Sequence, residues 1–120
     1  MDIILPYPPA ANLSPTGRMK KSAYIERCGK ILDGCYPMQG DLYMAARFYP
    51  PHFHHADVDN LLKTLLDALK GRAYSDDFQV RALYVVMMDA DVENPRVEIR
   101  LSEHQTGKPM YGRGFRGGYR

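Results

Sequence analysis

At 120 residues, with 45% hydrophobic and 25% charged side chains, the chain has the composition of one globular domain and is long enough to bury a core. No apolar run approaches the length that crosses a bilayer, and the start lacks a basic region followed by an apolar one, so the expectation is a cytoplasmic protein. The net charge of +2 is unevenly spread: Arg18, Lys20, Lys21, Arg27 and Lys30 cluster early, and Asp57, Asp59, Asp76, Asp77, Asp89 and Asp91 follow. Lys108, Arg113, Arg116 and Arg120 then close the chain without an acid among them. That distribution suits a polyanion together with a divalent cation, and equally a mixed soluble surface with a loose tail.

In chain order, "DIILPYPP" reads as a short strand stopped by prolines, and "AANLSPTG" as a loop. From about Met19 to Asp33, Tyr24, Ile25, Cys28, Ile31 and Leu32 recur at helical spacing, and Gly34 supplies a stop. Cys28 and Cys35, seven apart, fall on one helix face and read as reduced core thiols, too far apart for a disulfide. "DLYMAARFY" alternates, with Leu42, Met44, Ala46 and Phe48 on one side, as a half-buried strand does. "NLLKTLLDALKG" is a helix with the stripe Leu61, Leu62, Leu65, Leu66 and Leu69, closed by Gly71. "RALYVVMM" reads as a buried strand and "PRVEIRL" as an alternating one, with "DADVENP" as the hairpin loop between them. The order β-α-β-α-β-β predicts an α+β fold, a small mixed sheet covered by helices, over residues 1–103. Residues 104–120, rich in glycine, arginine and aromatics without apolar periodicity, read as a basic tail that is disordered until bound.

The chemistry concentrates at "HHADVDNLLK". An extended Asp57-Val58-Asp59 would aim both carboxylates one way and Val58 into the core, leaving an oxygen-rich site for a hard cation such as Mg²⁺. With the helix starting near Asn60, Lys63 lies one turn beyond Asp59 on the same side, within reach of a phosphate oxygen. The ordinary alternatives are that an aspartate merely caps the helix and that Lys63 pairs with Asp67. Asp76 and Asp77 form a second acidic pair where the next strand starts; neighbouring residues point oppositely there, so one of the two joins the metal, unless Ser75-Asp76-Asp77 is only a turn. His52, His54 and His55 admit three readings: a transition-metal site with Asp57, phosphate contacts that strengthen on protonation, or loop histidines without a role.

"LPYPPAAN", then "DVDNLLKTLLDAL", then "SDDFQV", in that order, resemble the RusA-type Holliday junction resolvases of phages and prophages, over about Ile3 to Leu101. The resemblance implies a Mg²⁺- or Mn²⁺-dependent homodimer that makes paired nicks across four-way DNA junctions, inside a bacterial host. It assigns cleavage to Asp57, Asp59, Asp77 and Lys63, with the metal held by Asp57, Asp59 and Asp77, and Asp76 as an additional acid. The sequence departs from the family where "PPHFHHA" replaces a run of arginines before the first aspartate, in a span from Asp59 to Asp77 about one residue shorter, and in the glycine-arginine tail. Metal held by carboxylates would activate water and stabilise the charge of phosphodiester hydrolysis, Lys63 would add positive charge at the phosphate, and a twofold dimer would supply two cuts. DNA contacts are assigned to Lys20, Lys21, Lys63, His54, His55, Arg113 and Arg116. The competing expectations are a nuclease for flaps, forks or plain duplex, and a nucleic-acid-binding module whose role does not depend on cutting, which the tail favours through stacking and charge.

Overall fold

The computed structural model describes residues 1–10, 14–53 and 57–104. The elements are β1 (Asp2–Pro6), α1 (Pro15–Ile31), β2 (Leu42–Tyr49), α2 (Val58–Leu69), a 3-10 turn (Asp77–Gln79), β3 (Val80–Met87) and β4 (Arg96–Glu103). The strands make one sheet in the order β1-β4-β2-β3. β4 runs antiparallel to both β1 and β2, and β2 and β3 are parallel. The α+β fold and the element order are as predicted.

The core follows the sequence periodicities. Leu42, Met44, Ala46 and Phe48 of β2 are all fully buried, and Leu61, Leu65 and Leu69 of α2 meet them, with Leu62 and Leu66 half-buried at the margin. Tyr24, Cys28 and Leu32 complete the core beneath α1, and the Tyr24 hydroxyl donates to the Pro6 carbonyl at 2.7 Å, tying α1 to the end of β1. Gly71 ends α2 with φ 80°, a left-handed conformation that favours glycine. Among the described residues no helix is long and apolar enough to cross a membrane.

Four expectations need correction. α1 begins at Pro15, not Met19, because Ser14 caps it by accepting the Gly17 N–H at 3.0 Å and proline is well placed in a first turn. It ends at Ile31, which leaves Cys28 buried and Cys35 exposed beyond the helix, so only one thiol belongs to the core. β3 is an edge strand with no fully buried residue. "DADVENP" is not a hairpin loop: β4 inserts between β1 and β2, so the segment leaves β3 and passes the end of β2. There the Met88 N–H donates to the Phe48 carbonyl and the Asp91 N–H to that of Pro50, each at 2.8 Å. Strand–turn–strand spacing alone does not say which neighbour a strand takes.

Candidate active site

Asp57 is the N-cap of α2, and the helix starts at Val58 rather than near Asn60. The extended geometry expected for Asp57-Val58-Asp59 is therefore absent, and Val58 is 39% exposed instead of core. The helical period of the buried stripe Leu61, Leu65 and Leu69 carries the helix back to Val58, and that outweighs the strand-like reading of Asp57-Val58-Asp59. Asp57, Asp59 and Lys63 are all exposed, and Asp59 and Lys63 stand one turn apart on α2. The Asp57 carboxylate makes no capping hydrogen bond. Among the described residues, capping therefore does not occupy its oxygens. Asp67 pairs with Lys21 of α1 at 2.6 Å, not with Lys63. That contact removes the ordinary explanation for Lys63 and partly neutralises Lys21, one of the two lysines of α1 assigned to DNA.

The second acidic pair is built differently. Asp77 opens the 3-10 turn before β3, and its Oδ1 accepts the Tyr74 hydroxyl at 2.9 Å. Burial first, and the Asp77 carboxylate second, hold the Tyr74 hydroxyl far above the ordinary tyrosine range, so it stays protonated and donates. Asp76 instead faces Lys70 at 3.8 Å. The turn is locked by Gln79, a buried polar side chain. Its amide oxygen accepts the N–H groups of Ser75 and Asp76 at 2.8 and 3.0 Å, and its amide nitrogen donates to the carbonyls of Met38 and Gly40, both at 3.0 Å. All four hydrogen-bonding positions of the amide are filled. Spacing and periodicity do not single out Tyr74 and Gln79; their only signal in the sequence is a tyrosine and a glutamine bracketing Ser-Asp-Asp.

The two acidic pairs lie at opposite ends of the parallel unit. β2 ends towards Asp57, α2 runs back, and Asp77 precedes β3, whose Val80 pairs with Leu42 at the start of β2. The 12 residues of α2 put about 18 Å of helix between the two sites. Among the described residues no three His, Cys, Asp or Glu side chains come together to hold a metal ion. The donors are oxygen-only, as a hard cation requires, but the described part of a single chain does not bring Asp57, Asp59 and Asp77 around one ion.

Beside the first turn of α2 runs a groove of about 610 Å³ lined by Tyr7, Pro9, Lys20, Arg27, His52 and Leu61 among others, with a lysine, an arginine and a histidine and, among the described residues, no acid. Leu61 donates its N–H to the Asp57 carbonyl at 3.2 Å, so the groove and Asp57 share a helical turn. The structure thus adds Arg27 and His52 to Lys20 along the groove that shares a helical turn with Asp57. His54, His55, Arg113 and Arg116 lie outside the described residues.

The model of one protein family, described as endodeoxyribonuclease RusA, matches residues 19–102, more than half of the chain. No curated protein matches it.

Proposed function

The chain belongs to the endodeoxyribonuclease RusA family, and from that premise we propose that it is a structure-selective, Mg²⁺-dependent DNA endonuclease that resolves four-way junctions by paired nicks as a homodimer. One observation carries the reading: Asp57 and Asp59 stand exposed at the start of α2, the Asp57 carboxylate unused in capping, beside a groove lined by Lys20, Arg27 and His52 and, among the described residues, by no acid. A buried structural aspartate pair would be hydrogen-bonded or ion-paired to its surroundings. An exposed one next to a cationic groove suits chemistry on a polyanion.

The chain's own residues divide the work. Lys20, Arg27 and His52 attract and orient the phosphate backbone, a contribution that weakens with salt. Lys63, on the same side of α2 as Asp59, places positive charge where the scissile phosphate develops negative charge. Tyr74 holds Asp77 in one orientation, and Gln79 fixes the turn that carries it. Mn²⁺ is the expected substitute for Mg²⁺.

The test is to incubate the protein with labelled four-way junction, flap, fork and duplex of equal length, with Mg²⁺ and with EDTA. Paired, Mg²⁺-dependent nicks confined to the junction support the proposal. Equal cutting of flap, fork or duplex replaces junction resolution by a broader nuclease activity, and tight binding without cutting replaces it by a binding module.

A further inference from the structure

Phenylalanine has no polar atom for water to satisfy, and the chain has four of them. Phe48 is fully buried, and Phe115 lies outside the described residues. The other two are open to solvent: Phe53 is 91% exposed and Phe78 74%. Each lies in sequence beside one of the two acidic pairs, Phe53 shortly before Asp57 and Phe78 directly after Asp77. We propose that Phe53 and Phe78 stack on base faces that a four-way junction exposes at its branch point, and that this stacking selects branched DNA over duplex. The inference rests on the nuclease reading above and adds how the substrate is told apart.

A scattered apolar side chain on a surface needs no explanation, and Tyr36 and Tyr84, also exposed, carry a hydroxyl that water satisfies. Phe78 differs in how it is held. It is the middle residue of the Asp77–Gln79 turn. On one side of it Asp77 accepts the Tyr74 hydroxyl at 2.9 Å, and on the other the buried Gln79 ties the turn to Met38 and Gly40. Both neighbours are bonded to the fold, so the backbone between them holds the ring outward. A phenylalanine held in this way has only two side-chain torsions left to fix on binding, so stacking costs little entropy. Phe53 comes directly after His52, which lines the groove beside the first turn of α2. It also stands in "PPHFHHA", where the chain departs from the family's arginines, so an aromatic ring takes a place that charge holds elsewhere.

Base faces are what distinguish the candidate substrates. In duplex DNA each base pair is covered above and below by its neighbours, and an aromatic ring enters only by forcing a step apart. At a four-way crossing the strands change partners, and in the open form the pairs that flank the branch lack a neighbour on one side. An exposed ring meets such a face without unstacking anything. Every base offers a face, so the contact tolerates any sequence. The phosphate backbone, by contrast, is common to junction and duplex, so Lys20 and Arg27 of the groove add affinity for both. A contact with base faces separates the two, and the exposed rings supply it next to the acids that would cut.

The test is a fluorescence anisotropy titration of the full chain against labelled four-way junction and duplex of equal length, in EDTA so that no cutting intervenes. Phe78→Ala weakens junction binding about five-fold or more and duplex binding less than about two-fold, the loss expected of one stacked base. Phe53→Ala does the same. Phe78→Trp keeps the preference for the junction, and Phe78→Leu, apolar but without a π face, does not. No phosphate contact is lost, so the slope of junction affinity against salt stays that of wild type. Both rings are exposed, so the variants unfold at the wild-type temperature and sediment as wild type does. Unchanged junction affinity in either alanine variant, a parallel loss on junction and duplex, a changed salt slope, or a leucine variant as selective as the tryptophan one overturns the proposal. So does a Phe78→Ala chain with an altered oligomeric state, which would make the ring an anchor between copies. A wild type that prefers the junction through these rings but cuts no substrate with Mg²⁺ would instead overturn the nuclease reading alone.

Discussion

Replacing Gln79 by leucine keeps the volume and removes the four hydrogen bonds that join the Ser75–Asp76 turn to Met38 and Gly40. At about 0.5–1.5 kcal/mol net per bond the gross loss is about 2–6 kcal/mol. Ser75 and Gly40 are exposed while Asp76 and Met38 are half-buried, so water re-solvates much of what is freed and the lower end applies, about 2–3 kcal/mol. For a domain of this size that lowers the thermal midpoint by roughly 8–24 °C. The assay is thermal unfolding followed by circular dichroism, with urea unfolding to check that the slope with denaturant is unchanged. Gln79→Glu sharpens it. The carboxylate puts an oxygen against two carbonyls that now accept an N–H, so this variant is destabilised at neutral pH. Protonation restores a donor, so it recovers relative to Gln79→Leu as the pH falls. A midpoint for Gln79→Leu within about 2 °C of wild type would show that the amide does not hold the turn, and with it would go the account of how Asp77 is placed.

Other expectations follow from single contacts. Tyr74→Phe removes the donor to Asp77 and lowers stability by about 1–2 kcal/mol in denaturant unfolding, and it reduces junction cutting more than junction binding. In the folded protein a thiol reagent modifies Cys35, which is exposed, while Cys28 reacts only after unfolding. Cys28 is fully buried and burial pushes its thiol above the ordinary cysteine value, so mass spectrometry finds one label in native buffer and two in denaturant. Lys21→Ala costs less than about 1 kcal/mol, because its pairing with Asp67 is partly exposed, and weakens DNA binding less than Arg27→Ala in a fluorescence anisotropy titration.

The alternation of β2 and the leucine stripe of α2 are legible because each has one face on the core, and burial imposes the period on the sequence. The start of α1 was legible in principle from Ser14-Pro15, but apolar periodicity begins only later in that helix, so counting periods placed it late. β3 misled for the opposite reason: its apolar residues on both faces read as burial, whereas it forms an open edge. The sheet order is not written locally at all, since β4 reaches its place by pairing with β1 and β2, far away in sequence. At the candidate site the residue types are legible and their arrangement is not. Asp57, Asp59 and Lys63 are recognisable from spacing, but the helix start at Val58 undoes the strand geometry that would have aligned the carboxylates. The distance from Asp57 to Asp77 depends on the direction of α2 across the sheet, which spacing does not encode.

The most direct test of the central claim is cleavage of a labelled four-way junction by wild type and by Asp59→Asn under identical Mg²⁺ conditions, with binding measured in parallel in EDTA. Asp59 is exposed on the first turn of α2, so the substitution leaves the fold intact. The account predicts paired nicks from the wild type and none from the variant, which binds the junction at least as tightly because a negative charge has left a phosphate-facing surface. A variant that cuts at the wild-type rate would contradict it.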